Sequence, residues 1–236
     1  MSDGDLVGRI GEGDRRALAR LITAIEAGDP SAETVVADLV RTVAPVRRVG
    51  ITGPPGAGKS TLVNVMIGEL RARGDEVAVL AVDPSSPITG GALLGDRVRM
   101  QGHVDDPGVY VRSMASRGHL GGLTRAATPT IAVLARAGFD IVLVETVGVG
   151  QSEVEVMDHV DVVVLVLGPG WGDQIQADKA GIVEITDVFV VNKGDKPGVD
   201  IVHRALLERL GDAEAPVLVT TAISGEGVAA LVDLIR

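Results

Sequence analysis

Seven short apolar runs mark the chain from residue 47 onward: RRVGIT (47–52), EVAVLAV (76–82), VYVRS (109–113), FDIVLVE (139–145), DVVVLVL (161–167), DVFVVN (187–192) and PVLVTT (216–221). Longer amphipathic segments lie between most of them. Near-continuous Val, Ile and Leu runs are what strands buried on both faces require. The alternation predicts an α/β fold, a doubly wound and mostly parallel sheet with helices on both faces. Residues 1–45 read differently. Leu18, Leu21, Ile22 and Ile25 recur at helical spacings of three and four. Gly28, Asp29 and Pro30 break that pattern. A second helix is expected over 31–43, with Ser31 as its N-cap and Pro45 ending it. The chain closes on a last helical pattern, GVAALVDLIR. The expected organisation is a helical extension over 1–45 followed by one α/β domain over 46–236.

Composition sharpens this picture. Apolar residues make up 46% of the 236-residue chain but aromatics only 2%, so the core must be built from Val, Leu, Ile and Ala. The 31 glycines are spread between apolar runs, which points to tight turns and phosphate-type loops rather than disorder. A net charge of −10 argues against a protein that tracks nucleic-acid phosphates. The absence of cysteine removes disulfides, iron–sulfur clusters and thiolate metal sites. No run reaches the roughly 18 apolar residues of a membrane span. The first stretch, MSDGDLVGRIGEGD, is acidic and polar, unlike a signal peptide. No membrane and no nucleic acid are expected as partners, and the expected location is cytoplasmic.

The segment GITGPPGAGKST (50–61) ends the first apolar run and opens an amphipathic one. Gly53, Gly58, Lys59 and Ser60 match G-x-x-x-x-G-K-[ST] in the context that gives the motif meaning. Glycines let backbone N–H groups close round phosphates, and a helix N-terminus adds partial positive charge. The loop Gly53, Pro54, Pro55, Gly56, Ala57, Gly58, Lys59, Ser60 and Thr61 is the expected phosphate cradle. Lys59 would reach the β- and γ-phosphates, and Ser60 would offer its hydroxyl to Mg²⁺. This motif alone leaves the base and the reaction open.

VVNKGD (190–195) addresses the base. A carboxylate at Asp195 can accept from guanine N1–H and the 2-amino group together. Adenine offers neither donor there. Lys193 is expected to lie along the base, and Asn192 to tie this loop to the phosphate loop. TTAISGEG (220–227) stands where a second base-contacting loop belongs, with Thr221, Ala222 and Ile223 as its candidates. A metal needs hard oxygen ligands. The candidates besides Ser60 are Asp83, Asp96 and Glu145. Asp83 and Glu145 end apolar runs, and ligands of α/β sheets bind at the carboxyl ends of strands.

Several blocks together, DPSSPITGGALLGDRVRM, RSMASRGHLGGL, VETVGVGQSEVEV, GPGWGDQIQADKAGIVEI and VVNKGDKPG, resemble the MeaB/ArgK/MMAA group of P-loop GTPases in the SIMIBI class. The resemblance runs from about residue 6 to the end. It implies GTP hydrolysis, with GTP/GDP and Mg²⁺ as cofactors. It also implies a client, a cobalamin-dependent acyl-CoA mutase such as methylmalonyl-CoA mutase, which the GTPase protects and reloads. Carried over by position, Lys59, Glu145 and Arg99 are the catalytic set, Arg99 being a basic residue near the phosphates. Residues 83–100 correspond to switch I and 147–155 to switch II, where Gln151 is a candidate for orienting water. Residues 168–179 correspond to a third switch that meets the mutase, with Trp171, Asp173, Gln174, Gln176 and Lys179 in it. Trp171, the single tryptophan, is expected either as an aromatic anchor for the partner or as packing against an adjacent helix. Typical members continue into a helical dimerisation arm. This sequence stops at Arg236, so a monomer, or a dimer through another surface, is expected. Arg117 and His119 in SRGHLGG lie either near the nucleotide or in a plain turn.

Three other readings compete. A metal-insertion GTPase needs Cys or His ligands, and His103, His119, His159 and His203 are scattered. A kinase would normally take ATP, which Asp195 opposes. A guanine-nucleotide-dependent scaffold without significant hydrolysis looks the same in sequence.

Overall fold

The computed structural model describes residues 3–42, 44–84, 101–103, 105–116, 122–146, 155–172, 182–211 and 214–236. Its strands are β1 (Arg47–Thr52), β2 (Val77–Pro84), β3 (Val109–Ser116), β4 (Ile141–Thr146), β5 (Val162–Leu167), β6 (Val188–Val191) and β7 (Val217–Val219). Its helices are α1 (Asp3–Gly11), α2 (Arg15–Ala27), α3 (Pro30–Thr42), α4 (Lys59–Ala72), α5 (Gly122–Leu134), α6 (Val199–Leu210) and α7 (Val228–Ile235). The seven strands form one parallel sheet in the order β3-β2-β4-β1-β5-β6-β7. β1 therefore lies at the centre, with the chain winding outward on both sides of it. This is the doubly wound fold, and all seven apolar runs became strands.

An aspartate just ahead of each of three strands pins the register. Asp140 donates its N–H to the Glu76 carbonyl at 2.9 Å and accepts the Glu76 N–H at 2.7 Å. Asp161 makes the same exchange with Arg48 at 2.8 Å in both directions, and Asp187 with Val163 at 3.0 and 2.7 Å. These pairs lock β4 to β2, β5 to β1 and β6 to β5. A one-residue slip would turn every inward side chain to the opposite face.

Alternate strand residues feed opposite faces. Val49, Ile51, Val79, Leu143, Val164 and Val190 meet the apolar sides of α4 and α7. Leu80, Val142, Val144 and Val163 face the other way and share a core with α5 and with Ile10, Leu18, Leu21, Ile22, Val35 and Leu39 of α1–α3. Leu165, Leu167, Phe189 and Val191 pack against Val199, Val202 and Leu206 of α6. The N-terminal helices are thus built into the same core as the sheet. Each fully buried Leu or Ile stabilises by about 1.5–3 kcal/mol relative to exposure. Arg15 adds a link of its own. Its guanidinium lies 3.8 Å from the Phe139 ring centroid and pairs with Glu76 at 2.9 Å.

Two local expectations need correction. The first helical stretch is two helices, because Gly13 takes φ +85° and Asp14 caps α2, accepting the N–H groups of Arg16 and Ala17 at 2.9 and 3.0 Å. The cap ahead of α3 is Asp29 and not Ser31. Asp29 Oδ1 accepts both the N–H and the hydroxyl of Ser31, and Pro30 occupies the first helical position, where a missing N–H is harmless. Among the described residues no helix is long and apolar enough to cross a membrane.

Candidate nucleotide-binding site

The site grows from the carboxyl end of β1. The chain leaves the central strand through Gly53, whose φ is +142° and whose Cβ position lies 2.0 Å from the Val166 carbonyl oxygen of β5. Only glycine fits there. The loop turns back at Gly58, φ +94°, where a Cβ would stand 2.5 Å from Asn192 Nδ2. α4 then begins at Lys59, so its first N–H groups face the hollow of the loop. Lys59 is 5% exposed. Its ammonium donates to the carbonyls of Gly53 at 2.7 Å and Pro54 at 3.0 Å. The loop is thus closed around a cation and bordered by a helix N-terminus, an arrangement suited to a polyphosphate.

Beside it, the Ser60 hydroxyl donates to Glu145 Oε1 at 2.7 Å. Ser60 is in the first turn of α4, and Glu145 is the penultimate residue of β4, where it pairs in register with Ile51 of β1. Both are buried. A hydroxyl and a carboxylate in contact at the mouth of a phosphate loop are the hard oxygen donors that Mg²⁺ takes, so these residues fit that ion. The backbone of Asp83 lies at the end of β2, next to β4 in the sheet. Its side chain, and Asp96 and Arg99 altogether, fall outside the described residues, as do Arg117, His119 and Gln151. His103 sits against α4, its Nε2 3.0 Å from the Asn64 carbonyl oxygen, while His203 is carried on α6. Among the described residues no three His, Cys, Asp or Glu side chains converge on a metal position.

Asn192, at the end of β6, joins the phosphate loop to the base side. Its Nδ2 donates to the Ala57 carbonyl at 3.0 Å. Its Oδ1 accepts from the Thr220 hydroxyl and the Ala222 N–H, both at 3.1 Å. Three segments meet on this one amide, which is 1% exposed. The expected tie from Asn192 to the phosphate loop is present. Thr220 was not a candidate from sequence. The signal was there, since it stands beside Thr221 in TTAISGEG, but a hydroxyl's partner is set by the fold.

A cleft of about 480 Å³ opens next to the loop, lined by Gly58, Thr61, Pro169, Lys193, Asp195 and Ile223 among others. Lys193 holds φ +64°, unusual for a residue with a side chain. Asp195 forms an ion pair with Lys196 at 3.0 Å. Gly194 donates its N–H to the Thr220 carbonyl at 2.9 Å, and a Cβ there would meet Thr221 Oγ1 at 2.8 Å, so the position between Lys193 and Asp195 is sterically confined. The cleft brings together Gly58, Thr61, Asn192, Lys193, Asp195, Ala222 and Ile223 from the sequence candidates. Pro169, Lys196 and Pro197 also line it and were not anticipated.

Trp171 is half-buried and packs on the cluster formed by β5, β6 and α6. Its loop rests on α6: a Cβ at Gly172 would lie 3.3 Å from Ile201 Cγ2. Of the two expectations for the indole, packing against the adjacent helix matches this placement. Asp173, Gln174, Gln176 and Lys179 lie outside the described residues.

The family model for "Methylmalonyl Co-A mutase-associated GTPase MeaB" matches residues 18–236. The chain belongs to this family. A relative from Pyrococcus horikoshii, named as a GTPase, is 48% identical over 242 residues, covering 98% of this chain and 76% of the relative. The mouse mitochondrial methylmalonic aciduria type A homolog is 38% identical over 249 residues, covering 95% of this chain and 60% of that protein. A crystal structure of LAO/AO transport system kinase superposes with a TM-score of 0.79 at 28% identity, covering 99% of this chain and 73% of that one. The doubly wound P-loop architecture and the MeaB GTPase family membership are therefore established together.

Proposed function

We propose that this MeaB-family protein is a GTP-hydrolysing chaperone that protects a cobalamin-dependent acyl-CoA mutase and gates its cofactor loading, with methylmalonyl-CoA mutase as the leading client. The observation that carries the nucleotide part is Asn192, which links a closed phosphate loop to a cleft presenting Asp195. The family description and the mouse relative's name support the client.

In this reading the Lys59 ammonium passes from the Gly53 and Pro54 carbonyls to the β- and γ-phosphates. Asp195 leaves Lys196 and accepts from guanine N1–H and the 2-amino group. The Ala222 N–H is already committed to Asn192, so the backbone donor toward guanine O6 falls to Ile223. Ser60 and Glu145 would hold Mg²⁺, with Asp83 and Asp96 as expected neighbours. Bound there, the ion neutralises charge on the phosphate oxygens. Water attacks the γ-phosphorus, the bond to the bridging oxygen breaks, and GDP and inorganic phosphate leave. Lys59 stabilises the charge that builds on that oxygen. Arg99 and Gln151 complete the set by resemblance. Turnover by the protein alone is slow, and the client raises it by ordering the switches. The loop 168–179, with Trp171, Asp173, Gln174, Gln176 and Lys179, is the proposed contact with the mutase.

GTP and ATP hydrolysis measured with and without purified cobalamin-dependent acyl-CoA mutases tests the reading. One mutase should raise GTP turnover while ATP stays inert. Unchanged GTP turnover with every such mutase would remove the client assignment and leave a guanine-nucleotide hydrolase.

A further inference from the structure

α3 carries more apolar surface than the core uses. Ala32, Val35 and Leu39 face inward and are buried. Val36, Ala37 and Val40 lie on the adjoining face, and Val40 is 43% exposed. At about 100° per residue the two sets span an apolar arc of roughly 200°, interrupted only by Glu33, whereas a helix with one buried face needs about 100°. The outer set forms one wall of a groove of about 580 Å³, with Ile25 and Ala27 of α2 and Pro129 of α5 on the others. This groove is separate from the nucleotide site. α1–α3 and α5 share the core on one face of the sheet, and α4, which opens from the phosphate loop, packs on the other.

The charge on the groove has one sign. Glu26, Asp29 and Glu33 stand on it, and no Lys, Arg or His is among the described residues that line it. Glu26 pairs with Arg112 of β3, and Asp29 Oδ1 takes the N–H and the hydroxyl of Ser31. Glu33 stands exposed in the first turn of α3. With Arg112 counted, the local balance is still negative. Pro129 has no N–H to give, so the Arg125 carbonyl one turn back lacks its usual helical donor. The groove thus combines apolar walls with acidic and acceptor groups.

We propose that this groove is a docking site for an amphipathic helix of a protein partner, with apolar residues at i, i+3 or i+4 and i+7 flanked by Lys or Arg. The wall from Glu33 to Val40 rises about 10 Å, the two turns that such a set of anchors covers. Three helices already frame the groove, and a further helix covers it at the ordinary interaxial distance of about 8–10 Å. The carboxylates pair with flanking cations and repel an acidic surface. They oppose a second copy of this chain, whose net charge is −10. The proposal does not depend on the guanine-nucleotide reading.

Fluorescence anisotropy with the full chain and a labelled Leu/Lys peptide tests it. The peptide carries leucine at i, i+3, i+4 and i+7. A scrambled peptide of the same composition and a Leu/Glu peptide of the same pattern are compared with it. The patterned Leu/Lys peptide should bind at least about tenfold more tightly than either. Val40→Asp decides between docking and bare attraction of a cation to an acidic protein. It adds negative charge but breaks the apolar wall, so docking predicts about tenfold weaker binding and bare attraction predicts tighter binding. Glu33→Gln should weaken binding about twofold to threefold at low salt and make no difference at about 1 M salt. The unfolding midpoint and GDP affinity of Val40→Asp should match wild type, because the side chain is exposed and lies outside the nucleotide site.

Binding of the scrambled peptide within about twofold of the patterned one overturns the docking site, as does Val40→Asp binding as tightly as wild type. A Leu/Glu peptide that binds as well as Leu/Lys overturns the basic partner. No binding of any peptide to wild type overturns the proposal and means that the groove is closed to helices from outside. A wild-type dimer in sedimentation equilibrium that Val40→Asp makes monomeric assigns the groove to a second copy and overturns it too.

Discussion

Replacing Asn192 with alanine should open a buried polar junction that ties β6 to the phosphate loop and to the segment after β7. The amide is 1% exposed and holds three groups from two other segments. Truncation leaves the Ala57 carbonyl, the Thr220 hydroxyl and the Ala222 N–H without the partners they now hold at 3.0, 3.1 and 3.1 Å. A buried polar group left unpaired costs about 1–3 kcal/mol. The adjacent cleft lets water reach part of the gap, which puts each group at the low end. The sum is a loss of about 3 kcal/mol. Thr220→Val removes only one of the two donors to Asn192 Oδ1 and should cost about 1 kcal/mol. The two changes act on one network, so they should not add: the double variant should lie within about 0.5 kcal/mol of Asn192→Ala alone. Urea unfolding with equal m-values measures all three. Asn192→Ala within about 0.5 kcal/mol of wild type, or full additivity with Thr220→Val, would refute the reasoning.

Other consequences follow from single contacts. Gly53→Ala places a methyl 2.0 Å from the Val166 carbonyl oxygen of a central strand at φ +142°, so it should destabilise by more than about 3 kcal/mol in denaturant melts. Gly56→Ala, at φ +78° with nothing within 4 Å, should cost only about 1–2 kcal/mol. Arg15→Met removes the stack on Phe139 and the partly buried pair with Glu76, and should lower stability by about 1–2 kcal/mol in the same assay while leaving GDP affinity unchanged. Acid should weaken the fold through carboxylates held below their ordinary range. Asp14 is held at about 2 by the Ala17 N–H and Arg9, Asp106 is lowered by Arg71, and Asp161 by Arg48. The unfolded chain takes up protons first, so their contribution is full above about pH 4 and is lost as pH falls toward 2. Urea midpoints should fall steadily across that window, and Asp161→Asn should flatten part of the slope.

Much of this fold is legible in the chain because its strands are buried on both faces. FDIVLVE, DVVVLVL and DVFVVN even display the aspartates that pin the register, though their partners on neighbouring strands emerge only in the sheet. Local choices between near-equal caps were less readable. Asp29 and Ser31 both suit an N-cap, and Pro30 decides for Asp29 by taking the first helical position. The break at Gly13 is masked in the sequence, because apolar residues at helical spacing stand on both sides of it, Leu6, Val7 and Ile10 before and Ala17 and Leu18 after. In the site, motif spacing located Lys59, Ser60, Asn192 and Asp195, whose neighbours are close in sequence or at strand ends. Thr220 and Pro169 were hidden, because only the packing of β6 beside β7 brings Thr220 onto Asn192 and only the path of the Trp171 loop brings Pro169 to the cleft.

Single-turnover hydrolysis with the protein in excess over radiolabelled GTP tests the central claim most directly. The account predicts conversion of bound GTP to GDP and phosphate, abolished by Lys59→Ala and absent with ATP. GTP that stays intact on the wild-type protein through the time course would contradict it and make the chain a nucleotide-dependent scaffold.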